Sequence, residues 1–138
     1  MSFLDTTHVH DLMIEKVMTV CPDDALLVAA RLMHSSRISC VVVDSGDPAT
    51  GFGVLTQKDL VQRWKDYGPV YPGLKVRDAM SSPCMVLTPN LNISTAVDMM
   101  RMIGVRRAPV AADGKLLGLL SFSDIFRWSM NKLERSAA

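Results

Sequence analysis

The strongest constraint on this chain is a sentence written twice. Gly53–Leu60 reads GVLTQKDL and Gly118–Ile125 reads GLLSFSDI. Each has Gly, two apolar residues, a hydroxyl, two variable residues, Asp and an aliphatic. Upstream, residues 9–44 align without a gap onto residues 76–111, an offset of 67. Identities fall at Val9/Val76, Asp11/Asp78, Met13/Met80, Met18/Met85, Pro22/Pro89, Ala29/Ala96, Met33/Met100 and Val43/Val110. The doubled motif then recurs at offset 65, after a shorter turn in the second copy. A tandem repeat of roughly 60 residues builds one supersecondary unit twice. In 138 residues it makes one ordinary domain, or two very small halves sharing a core.

Each copy has the same grammar. Asp23 or Asp24, behind Pro22, is placed to cap a helix running to about Ser36. Leu26, Ala29, Leu32 and Met33 share one face of it. Ile93, Ala96, Val97, Met100 and Ile103 do the same in the second copy. Short β-branched runs follow at 38–43 and 105–110 and read as buried strands. Pro109 lacks an N–H, so its strand is expected at an edge or to be irregular. Turns lead to second strands at 53–55 and 116–120, and Asp113-Gly114 is a strong hairpin signal. Helices at 57–65 and 122–131 close the copies, and the polar tail after Lys132 is expected to fray. YGPVYPGLK, with two Pro and two Gly, reads as a linker. The expected organisation is therefore 8–66, a linker at 67–75, and 76–131.

Composition excludes several function classes. Apolar residues make up 49% and charged residues 21%, as in soluble globular proteins. Fifteen basic residues against fourteen acidic ones give a charge of +1, so no basic field draws the chain to nucleic acid. Cys21, Cys40 and Cys84 are odd in number and form no C-x-x-C pair, so neither a disulfide framework nor a zinc site is expected. His8 and His10 are two apart and His34 is alone, so no metal site is expected from them either. The N-terminus lacks the basic and apolar regions of a signal peptide. No apolar run reaches the roughly 18 residues of a membrane span. A cytoplasmic protein away from membranes is expected. Most of the ten methionines sit at helical spacing and read as core filling. Trp64 and Trp128 read as apolar anchors at helix ends or at a subunit contact. There is no P-loop, no HExxH and no nucleophile–base pairing, and Gly51-Phe52-Gly53 lacks phosphate-loop spacing, so no enzyme is expected.

The doubled motif has two readings. Thr56-x-x-Asp59 and Ser121-x-x-Asp124 sit where a strand becomes a helix, and hydroxyl at N-cap with acid at N3 is a capping box. The acid also suits the positive end of the helix dipole. Capping alone accounts for both copies. The second reading adds recognition. Glycine before the hydroxyl lets another group approach the backbone closely. A carboxylate held at a helix start accepts two hydrogen bonds from a vicinal diol, as acids do in ribose recognition. The hydroxyl and the helix N–H groups suit phosphate or sugar oxygens.

These residues carry a resemblance. Val9-x-Asp11-Leu12-Met13, TVCPDD, AARLM, RISCVVVD and GVLTQKDLV together resemble a cystathionine β-synthase (CBS) motif. VRDAM, VLTPNLNISTAVDMM and GVRRAPVAADGKLLGLLSFSDI resemble a second. The similarity runs from about residue 8 to 130, and the chain resembles a stand-alone CBS pair, or Bateman module. The resemblance implies an α/β (α+β) fold of two β-α-β-β-α repeats with pseudo-twofold symmetry, their sheets packed together with helices outside. It implies a sensor of AMP, ADP or ATP, with S-adenosylmethionine or NAD as further adenosyl ligands, and no required cofactor. It also implies a homodimer acting on a separate regulated protein.

Carried over by residue, the resemblance implies one cleft from Thr56, Lys58 and Asp59 with Val105, Arg106 and Arg107 facing them. Asp59 would hold ribose hydroxyls, and Thr56, Lys58 and the arginines would meet phosphate through donors suited to it. A second cleft would take Ser121, Ser123 and Asp124, with Ile38, Ser39 and Cys40 opposite. Backbone near Ile38 and Val105 would read the adenine edge. The cationic first cleft is expected to prefer the more phosphorylated ligand. The second is expected to take a weakly charged one or stay empty. The competing expectation is a ligand-free dimerisation scaffold in which both acids serve only as caps.

Overall fold

The apolar periodicity folds into two equivalent helices, α2 (Leu26–Ser36) and α4 (Ile93–Ile103), which bury Leu26, Ala29 and Met33 in one and Ile93, Ala96 and Met100 in the other. The computed structural model describes residues 2–68, 72–82 and 84–137, so Pro69, Val70 and Tyr71 of the expected linker lie outside the described residues. Besides two 3-10 turns (Phe3–Asp5 and Val76–Asp78), the other elements are α1 (Val9–Leu12), β1 (Thr19–Val20), β2 (Cys40–Asp44), β3 (Phe52–Thr56), α3 (Gln57–Tyr67), β4 (Arg107–Ala112), β5 (Lys115–Ser121) and α5 (Phe122–Ala137). This is a mixed α/β fold with two small sheets. In one, β1 runs parallel to β2, which pairs antiparallel with β3. The other is the β4–β5 hairpin. Leu87 makes a single parallel bridge to Val110, repeating at offset 67 the Val20–Val43 pair of β1 and β2.

The chain divides into two compact units, Val17–Cys84 and Met1–Lys16 with Met85–Ala138. The first is built around Val20, Leu26, Met33, Val43, Leu55, Leu60 and Val76. The second is built around the repeat partners of those residues: Leu87, Ile93, Met100, Val110, Leu120, Ile125 and Val9. Each unit takes the opening segment of the other repeat. In the first, Leu74 O accepts the Leu26 N–H at 2.9 Å and Ser81 bridges to Val54 of β3. In the second, Thr7 O accepts the Ile93 N–H at 2.8 Å and Ile14 bridges to Leu119 of β5.

Several local expectations change. Neither Asp23 nor Asp24 caps α2, whose N-cap is Ala25. Asp24 instead accepts the Cys21 N–H at 2.8 Å, and Asp23 pairs with Arg77 and Lys75. Asn92 caps α4 by accepting the Thr95 N–H at 2.8 Å. The ladders of β2 and β4 begin two residues later than the apolar runs. The reason is the preceding helix end: the Ile38 and Val105 N–H groups still bond Met33 O and Met100 O, both at 3.0 Å. Asp113 and Gly114 have φ of 54° and 75°, the positive pair of a type I′ hairpin. β4 is irregular just after Pro109, with a register shift between Val110 and Ala111. The tail past Lys132 continues α5 to Ala137. Met33 and Met100 are core, whereas Met102 on the outer face of α4 is 86% exposed.

Candidate functional site

Both halves of the doubled motif fold as strand-to-helix corners. At the first, Thr56 ends β3 and caps α3. Its hydroxyl accepts the Asp59 N–H at 3.2 Å, and Asp59 Oδ2 accepts the Thr56 N–H at 2.9 Å. Asp59 is half-buried, and its Oδ1 accepts no hydrogen bond among the described residues. At the second corner, Asp124 Oδ2 accepts the Ser121 N–H at 3.1 Å and the Ser121 hydroxyl at 2.7 Å. The Asp124 N–H returns a bond to Ser121 Oγ at 3.2 Å. Asp124 is only 7% exposed, and its Oδ1 accepts from Arg127 Nη1 at 3.2 Å. The two acids share a cap and differ in the second oxygen.

The strand entrances lie beside these corners within each unit. Cys40 pairs in register with Thr56, and Ser39 O accepts the Gln57 N–H at 3.1 Å. Arg107 pairs with Ser121, and Arg106 O accepts the Phe122 N–H at 2.9 Å. The structure thus brings Ile38, Ser39 and Cys40 together with Thr56, Lys58 and Asp59 in one unit. In the other it brings Val105, Arg106 and Arg107 together with Ser121, Ser123 and Asp124. Lys58, Arg106, Ser39 and Ser123 are exposed, and Val105, Arg107, Ile38, Cys40, Thr56 and Ser121 are half-buried. A hollow of about 500 Å³ runs along α5 and is lined by Phe122, Ser123, Phe126, Arg127, Met130 and Asn131.

The sequence reading missed Arg127. Its signal was present, since Asp124 and Arg127 are three apart on a helix and so share a face. The equivalent position after Asp59 is Gln62, which carries no charge.

The close approach expected at the motif glycines is made by the chain itself. A Cβ on Gly53 would stand 3.0 Å from Ser81 O, and one on Gly118 would stand 2.7 Å from Ile14 O. The group that approaches closely is the chain's own opening segment. Among the described residues, no helix is long and apolar enough to cross a membrane.

The model of the CBS domain family matches residues 9–66 and again residues 76–131. An uncharacterised protein of Methanopyrus kandleri is 30% identical over 114 residues, 80% of this chain, and the chain spans only 57% of that relative's length. The crystal structure of a CBS-domain containing protein from Agrobacterium tumefaciens superposes with a TM-score of 0.76 at 28% identity, over 89% of this chain and 99% of that one. That of CBSX2 in complex with AMP gives 0.75 at 24% identity, over 91% of this chain and 97% of that one.

Proposed function

The chain belongs to the CBS domain family, and on that premise we propose that it is a regulatory module that binds adenine nucleotides and catalyses nothing itself. The Asp59 carboxylate carries this reading. Capping occupies part of Oδ2 and none of Oδ1, so lone pairs remain for both hydroxyls of a ribose. The AMP bound by the structural neighbour CBSX2 supports the same ligand class.

For one nucleotide we assign Asp59 to the ribose, Thr56, Lys58, Arg106 and Arg107 to phosphate, and the backbone at Val105 to the adenine edge. For a second we assign Asp124 to the ribose, with Ser121 and Ser123, and Ile38, Ser39 and Cys40 toward the base. AMP, ADP and ATP are the ligands proposed; S-adenosylmethionine and NAD share the adenosyl group. The signal passes through homodimer geometry to a partner protein.

One observation favours a ligand-free scaffold instead: both acids already close capping boxes. Thermal-shift measurements with AMP, ADP, ATP, NAD, S-adenosylmethionine and GTP separate the two readings. The variants are Asp59→Asn and Asp124→Asn, whose amide oxygen still accepts the cap bond. A ligand at a hundred times its dissociation constant adds about 2.7 kcal/mol to stability. A shift with adenosyl ligands that Asp59→Asn reduces is the expected result. No shift with any ligand leaves the scaffold.

A further inference from the structure

We propose that His8, His10 and Asp11 form a binding site for a divalent transition-metal ion of the zinc type. The inference is independent of the nucleotide reading. Sequence spacing offered only two histidines; the fold turns the neighbouring Asp11 carboxylate toward both, with all three side chains exposed to solvent. The imidazoles stack with centroids 5.4 Å apart and planes within 2°. Both turn toward one carboxylate: His10 Nδ1 lies 3.2 Å from Asp11 Oδ1, and His8 Nδ1 lies 3.8 Å from Asp11 Oδ2. The three donor atoms lie within 4.8 Å of one another, and among the described residues no other trio of His, Cys, Asp or Glu does so.

The donor spacing is close to what the ion needs, and because the rings stand parallel their in-plane lone pairs meet on one ion only after the exposed imidazoles turn about χ1 and χ2. Ligands about 2.0–2.1 Å from a tetrahedral zinc stand roughly 3.3 Å apart. Two imidazoles and a carboxylate suit zinc, copper or nickel better than magnesium or calcium. The fourth position is open to water. The backbone that carries the donors is pinned: Val9 N–H bonds Leu91 O at 2.8 Å and His10 N–H bonds Pro89 O at 3.0 Å.

The second repeat separates the roles of these residues. Lys75, Arg77 and Asp78 occupy the equivalent positions at offset 67. Asp78 accepts the Lys75 N–H at 2.8 Å, as Asp11 accepts the His8 N–H at 2.9 Å. The acid is therefore explained as a turn-closing acceptor in both copies. The histidines are not, because the same turn forms with Lys and Arg in their places. Those cations pair with Asp23, whose equivalent beside the histidines is the uncharged Asn90.

Titrating Zn²⁺ calorimetrically and Co²⁺ by visible absorption into the full chain at neutral pH tests the site. Wild type is expected to take one ion per chain with a tetrahedral Co²⁺ spectrum. His10→Ala is expected to weaken binding roughly tenfold or more, and Cys21→Ser to leave it unchanged. His10→Arg, which copies the other repeat, gives the same loss in a background known to support this turn. No binding by wild type, binding as tight as wild type in both His10 variants, or loss in Cys21→Ser would overturn the proposal.

Discussion

The Ile14 carbonyl oxygen occupies the space that a side chain on Gly118 would need: a Cβ there would stand 2.7 Å away. The neighbouring atoms are Met13 Sδ and Cγ, at 2.9 and 3.0 Å. Backbone cannot swing aside as a side-chain end can, so Gly118→Ala must displace the Ile14–Leu119 bridge. The expected cost is about 2–3 kcal/mol, within the range of overpacked cores. Gly53→Ala meets Ser81 O at 3.0 Å and the flexible Met80 Sδ at 3.1 Å, so about 1 kcal/mol is expected there. Urea unfolding of the two variants checks the order.

The two motif acids differ as structural elements. Asp124→Ala removes a cap and strands the Ser121 hydroxyl that donates to it at 2.7 Å, a loss of about 2 kcal/mol. Asp59→Ala removes a half-exposed cap alone, a loss of about 1 kcal/mol. Equal melting temperatures for the two variants would contradict this account.

Arg127 covers the second oxygen of Asp124 while its own side chain is 65% exposed. Arg127→Gln is therefore expected to change stability by no more than about 0.5 kcal/mol. It opens Oδ1 to a ribose hydroxyl, so adenosine affinity at the Asp124 set is expected to rise. Calorimetry of Arg127→Gln in the Asp59→Asn background reads that set alone, and unchanged or weaker adenosine binding refutes the competition.

In the proposed first nucleotide set, Lys58, Arg106 and Arg107 are expected to act by charge. Charge-assisted hydrogen bonds contribute about 1.5–3 kcal/mol, so ATP is expected to bind there at least roughly tenfold more tightly than adenosine. Arg106→Ala with Arg107→Ala should close most of that gap. Equal affinities in the wild type would remove the phosphate role.

Burial pushes the Cys84 thiol from its ordinary 9.0 up to about 11, and the Cys40 thiolate adds to the rise. The folded chain thus holds this proton more tightly than the unfolded chain does. The resulting stability is whole below pH 9.0 and is lost as pH climbs toward about 11. The stability of wild type relative to Cys84→Ala is expected to stay level up to pH 9 and fall above it, as read from urea midpoints. At pH 8, iodoacetamide should label exposed Cys21 well before Cys84.

Much of the fold was legible because its determinants are local. Apolar spacing located α2 and α4, Asp113-Gly114 located the β4–β5 turn, and hydroxyl-x-x-Asp located the starts of α3 and α5. The errors fell where a competing contact a few residues away claimed the group. Asp24 looks like a cap for α2 in isolation, but the turn at Cys21 claims its oxygen. The β2 run looks two residues longer than its ladder because Ile38 still serves the end of α2. The tail looked ready to fray, yet α5 runs through it, with the indole of Trp128 under Lys132 at 5.2 Å.

The sequence by itself determined that one unit is built twice, which faces of its helices are apolar, and where two acids stand at helix starts. Helix faces recur every three or four residues and the doubled motif recurs along the chain, so none of these needs a folded partner to be read. Tertiary structure decided that each opening segment completes the other repeat's unit, and that two glycines serve this close approach. It decided that Arg127 engages one acid while the other keeps an oxygen to offer, and that two histidines share a carboxylate. The reason is physical: a backbone N–H or a second carboxylate oxygen is satisfied by whatever group folding brings within about 3 Å, and that group is often far away along the chain.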